Sequence, residues 1–112
     1  MAIRPKRLVS GSQLTGSAAT YYTATNVSAR VDNCVLTNTT SGAVTVTLHL
    51  VPSGGSASAS NMILDAYSIA AHTSYVPPGI IGQWLESGGT LQALASAATS
   101  ITMVVSGVEF TG

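Results

Sequence analysis

Apolar and polar residues alternate with a period of two over much of this chain. The clearest run is 43–51, where Val44, Val46, Leu48 and Leu50 fall on one side and Thr45, Thr47 and His49 on the other. That alternation predicts a half-buried antiparallel strand with an apolar inner face and a Thr/His outer face. A second β-prone run, 31–38, precedes it, and Thr39-Thr40-Ser41-Gly42 between them supplies turn residues, so the two runs form a hairpin. Further strands are predicted over 19–24, 62–69, 74–76, 80–85, 90–95 and 100–110, with a loop of small residues over 52–60. Pro77-Pro78-Gly79 ends the 74–76 strand, since proline cannot donate to a ladder. The Ala- and Leu-rich stretch 89–100 has helical propensity, but Gly88-Gly89 before it and the β-prone run 101–105 after it favour a strand. About eight short strands, with turns every ten residues or so, are the signature of an all-β sandwich or barrel.

Composition changes the picture in one respect. The 112 residues include four Lys or Arg and four Asp or Glu, and the formal net charge is zero. Three of the four cations, Arg4, Lys6 and Arg7, lie within the first seven positions. Residues 1–17 are therefore expected to be a basic amino-terminal arm and lead-in, and residues 18–112 the β-domain. A surface so short of charge favours association over dispersal in water. The basic cluster suits an acidic patch on a protein better than nucleic acid, because few phosphates would be neutralised and no row of aromatics accompanies it. Only Leu8-Val9 follows the basic start, which is no signal-peptide core, and no stretch is long enough to span a membrane. The chain is expected to be made in the cytoplasm. The sequons at Asn26 and Asn38 are then expected to be chance matches.

Candidate chemistry is sparse. Cys34 stands alone in an apolar stretch and is expected to be a buried small hydrophobe. His49 and His72 have no metal-ligand spacing to each other or to Cys34, and no cofactor motif occurs. His49 is expected on the outer face of its strand, and His72 in a turn. The carboxylates Asp32, Asp65, Glu86 and Glu109 are scattered; Asp32 is placed to pair with Arg30. An enzyme would require Asp65, Glu86, His49 or His72 to converge in one cleft, and no catalytic residue is assigned. The residues best suited to an interface are Arg4, Lys6, Arg7, Tyr21, Tyr22 and Trp84. Trp84 can equally pack into the core beside Ile81 and Leu85.

Several stretches resemble small virion structural proteins of tailed bacteriophages. They are Thr20-Tyr21-Tyr22-Thr23-Ala24, the run from Val31 to Thr40, the run from Leu48 to Ala57, Gly88-Gly89-Thr90-Leu91-Gln92-Ala93 and Val105-Ser106-Gly107-Val108-Glu109. The resemblance is one of turns and strand edges and carries no functional residues. It implies a single antiparallel β-sandwich, jelly-roll-like, acting as a non-enzymatic structural subunit located in the virion and assembled in the host cytoplasm. A capsid decoration or cement protein is the first expectation. Its partners would be the major capsid protein or other virion proteins, and further copies of itself in a homo-oligomer. A tail, collar or baseplate component is the first alternative. A receptor- or carbohydrate-binding module is the second, with Trp84, Tyr67 and Tyr75 as stacking residues. Removing residues 1–7 is expected to leave the fold intact and to weaken incorporation into particles.

Overall fold

The computed structural model describes residues 2–111. Its strands are β1 (Ala2–Gln13), β2 (Ala19–Thr23), β3 (Ser28–Asn38), β4 (Val44–Val51), β5 (Met62–Ile69), β6 (Ser74–Tyr75), β7 (Trp84–Leu85), β8 (Thr90–Ala95) and β9 (Ile101–Thr111). A single 3-10 turn, Ala59–Asn61, is the only helical element among the described residues. One sheet runs β1-β9-β3-β6, with β7 also paired to β3; the other runs β2-β8-β4-β5, and every pairing is antiparallel. β6 and β7 occupy the same edge of β3, opposite Leu36 and Ala29 respectively. Taken as one interrupted strand, they reduce nine strands to eight and give the two-sheet jelly roll.

The alternating pattern explains the core. In β9, Ile101, Met103 and Val105 are fully buried while Thr102 and Val104 are not, and β8 buries Leu91, Ala93 and Ala95 in the same way. These side chains meet Leu36, Val46 and Leu48 between the sheets, and each large one contributes about 1.5–3 kcal/mol by leaving water. The runs 31–38 and 44–51 do not form the expected hairpin: β3 lies in one sheet and β4 in the other, so the polar turn between them crosses from sheet to sheet. That turn is anchored by Asn38, itself fully buried. Its Nδ2 donates to the carbonyls of Gly42 (2.8 Å) and Ile69 (3.0 Å), and its Oδ1 accepts from the Thr40 N–H and hydroxyl (2.9 and 2.7 Å). All of its bonding capacity is used, so burial leaves no polar atom unpaired.

The structure corrects three further expectations. Residues 2–13 are no arm: they form a twelve-residue strand paired with β9 from Ala2↔Thr111 to Gln13↔Thr102, with register shifts between Arg7 and Val9 and between Val9 and Ser12, so the boundary at 17/18 does not separate an arm from a domain. Charge and Pro5 disguise this strand in the sequence. It lies at a sheet edge, where proline is tolerated and where charged side chains discourage stray pairing. Second, only Trp84–Leu85 of the expected 80–85 strand pairs; Gly82 at φ 83° makes residues 80–83 a turn, closed by the Gln83 N–H donating to the Ile80 carbonyl (3.1 Å). Third, Thr47 and His49 are buried although they lie on the outer side of β4. A bulge in β5 brings the Ala66 N–H to the Thr47 hydroxyl (3.0 Å), and the 56–61 loop folds over His49. Stretch 90–95 is a strand, as its flanks indicate.

Candidate functional site

Three glycine turns meet around Trp84. In Pro52-Ser53-Gly54-Gly55, the Gly55 N–H donates to the Pro52 carbonyl (3.0 Å), with Gly54 at φ 79°. In Glu86-Ser87-Gly88-Gly89, the Gly89 N–H donates to the Glu86 carbonyl (2.8 Å), with Gly88 at φ 89°. Both have the glycine at the third position that a type II turn requires, and both carry serine just before it. They press together: a Cβ on Gly88 would collide with the Ser53 hydroxyl. The third turn, 80–83, is held to β3 by the Gly82 N–H donating to the Val31 carbonyl (2.7 Å).

Trp84 leads out of that third turn and pairs with Arg30 of β3. Its neighbour Leu85 points into the core at 4% exposure, whereas Trp84 is 52% exposed. Period two decides the matter: one of two adjacent strand residues must face outward. The indole is held on one flank by Phe110, with ring centroids 5.2 Å apart and a 34° tilt, and by the Arg30 guanidinium 5.8 Å from its centroid. Arg30 is steadied in turn by Asp32 through an Nε–Oδ1 contact of 2.8 Å, the pair expected from the sequence. A cleft of about 250 Å³ opens between Trp84, Ser53 and Glu86, and a second of about 420 Å³ lies on the other side of Trp84, against Gln83 and Asn61. Leu50 and Pro52 line both, so the two clefts form one groove with Trp84 at its centre. Asn61 is fixed there by bonds to His49 Nδ1 (2.9 Å), the Ser58 N–H (3.0 Å) and the Ser56 carbonyl (2.8 Å).

The other expected interface residues lie elsewhere. Arg4, Lys6 and Arg7 are exposed on β1, and of the three only Lys6 has an ion pair among the described residues, with Glu109 at 3.7 Å. Tyr22 is buried, and its hydroxyl donates to Glu109 Oε2 at 2.5 Å across the sandwich, which commits it to the interior. Burial first, and then Glu109, raise its phenol above the usual 10.0. Tyr21 is half-buried and its hydroxyl accepts from the Thr15 N–H (3.0 Å), holding the β1–β2 connection. Tyr67 and Tyr75 stack on each other at 4.0 Å and 16°, bridging β5 of one sheet and β6 of the other. Tyr75 is opposite Leu36 and Trp84 opposite Arg30, six residues apart along β3 or about 20 Å, so the three aromatics form no common shelf.

Cys34 is fully buried, and burial pushes its thiol up to about 12, which makes it a poor nucleophile. His72 sits in a turn at φ 54°. Among the described residues, no three His, Cys, Asp or Glu side chains are grouped to hold a metal ion, and no helix is long and apolar enough to cross a membrane. The groove went unrecognised in the sequence, although a signal was present: Ser-Gly-Gly occurs at both 53–55 and 87–89, and the fold brings these two copies together.

No protein-family model matches the chain, and no curated protein matches it. Among solved structures, it is similar to a chain in the structure of infectious bursal disease virus, Gx strain, with a TM-score of 0.50 and 17% sequence identity. The match covers 96% of this chain and 31% of that one, so this chain spans about a third of the other's length. At that identity the likeness is one of fold.

Proposed function

We propose that this protein is a non-enzymatic structural subunit of a virus particle, and specifically a decoration or cement protein on the capsid of a tailed phage. One observation carries this reading: a domain with eight charged residues leaves large apolar side chains in water. Apart from Trp84, the residues Ile3, Val76, Tyr67 and Ile81 are each at least 40% exposed. Such a surface lowers its free energy by being covered with protein. The sandwich likeness to a chain of a virus structure supports the same reading. Ile3, Arg4 and Arg7 are exposed on the edge strand β1, and we assign to this edge the contact with a neighbouring shell subunit. A subunit that binds the assembled shell and not its dispersed parts stabilises assembly by mass action, and many symmetric copies add avidity.

Imaging of intact particles tests this directly. Density for the chain at symmetric positions across capsid-subunit junctions is the expected result. Density on the tail, collar or baseplate would replace the cement role with the alternative one, and absence from purified particles would overturn both.

A further inference from the structure

We propose that the groove centred on Trp84 binds a neutral saccharide, with one sugar ring stacked on the indole and its hydroxyls bonded to the rim. The argument begins with what the groove offers. Its centre is an exposed indole already held in place by Phe110 and Arg30, so little rotamer freedom remains to be lost on binding. The faces of the indole are electron-rich and attract the weakly positive C–H groups on the apolar face of a pyranose. Hydrogen-bonding groups line the clefts around it: Ser53, Ser87 and Glu86 in one, Gln83 and Asn61 in the other. Glu86 has no ion-pair partner among the described residues, and Gln83 Nε2 is used by the Gly79 carbonyl (3.1 Å) while its Oε1 remains available.

The same groups select against other ligands. Neither cleft is lined by lysine or arginine, the nearby Arg30 charge is balanced by Asp32, and Glu86 repels anions. Phosphorylated and acidic ligands are therefore disfavoured. A purely apolar ligand would strand the carboxylate and the serines without partners. A polyhydroxylated neutral ring satisfies both parts at once. The two clefts on either side of Trp84 give room for more than one sugar unit. The walls are built rather than incidental, because the two Ser-Gly-Gly turns approach closely only with glycine at position 88. This site does not depend on the chain's place in a virus particle, and each can fail without the other.

Trp84 is the only tryptophan, so the intrinsic indole fluorescence of the purified protein reports on this groove alone. Titration with maltotetraose, cellotetraose and chitotetraose is expected to give, for at least one, a saturable change in emission at millimolar concentration or below. Sialyllactose, an acidic sugar, is expected to bind more weakly. Calorimetry on variants completes the test: Trp84→Ala abolishes the binding, and Glu86→Gln weakens it about tenfold. Both side chains are exposed, and circular dichroism verifies that each variant is folded; if Trp84→Ala is not, Glu86→Gln and Ser53→Ala carry the comparison. No response to any of the three neutral sugars would overturn the proposal, as would binding that these substitutions leave unchanged. An emission change that follows protein concentration and ignores sugar would also overturn it, and would assign the groove to a second copy of the chain.

Discussion

At the scale of single residues, two positions tie the sheets and strands together in ways that substitution exposes. Gly107 lies in β9 opposite Val31, at a register shift, and a Cβ there would run into the Arg30 carbonyl oxygen and crowd Leu8. Gly107→Ala is expected to cost about 3 kcal/mol, read as a lower denaturant midpoint with an unchanged slope. Tyr22 donates to the buried Glu109 carboxylate, so Tyr22→Phe leaves that carboxylate short of a donor and is expected to cost about 1–3 kcal/mol in the same measurement. Alkaline pH gives a further test. Burial lifts the Cys34 thiol from its ordinary 9.0 to about 12, and burial together with Glu109 lifts the Tyr22 phenol above its ordinary 10.0. Both groups keep their protons in the folded state where the unfolded chain releases them. The stability this provides is complete below pH 9.0 and is lost as pH rises through the folded values. The denaturation midpoint is expected to fall from pH 9.0 upward in the native sequence, and only from pH 10.0 in Cys34→Ala; equal slopes in that interval would contradict it.

At the scale of elements, β1 matters most. Its pairing with β9 begins at Ala2, so removing residues 1–7 strips half of an edge strand and uncovers β9. The truncation expected from the sequence to leave the fold intact is instead expected to lower the melting temperature by several degrees. The double substitution Arg4→Glu, Arg7→Glu separates contact from fold: it keeps the ladder, is expected to leave the melting temperature within about two degrees, and to reduce incorporation into particles. The elements that the sequence revealed share one property, a strict alternation enforced by a core on one side only. β8 and the first half of β9 have it, and β4 has it in sequence although Thr47 and His49 are covered on its outer side. β1 lacks it because an edge strand buries little, here only Leu8 and Val9 among its described side chains. β6 and β7 lack it because two paired residues are too short to show a period. The groove was illegible for a different reason. Its parts come from positions 50–53, 60–63 and 83–89, and only the jelly-roll crossing of the chain between sheets brings them together.

At the scale of the whole molecule, shape and surface chemistry point the same way. The sandwich is elongated, 45 × 25 × 20 Å, and presents broad sheet faces and long edges relative to its volume. Eight charges are too few to keep those faces dispersed, and two of them are spent on the Arg30–Asp32 pair beside Trp84. Association is therefore the central physical claim, and sedimentation velocity on the purified native chain tests it most directly, alone and mixed with particles that lack it. Self-association that rises with concentration, or co-sedimentation with the particles that weakens in the Arg4→Glu, Arg7→Glu variant, is the predicted result. A chain that stays monomeric at the highest concentration reached and leaves every particle component unbound would contradict the account.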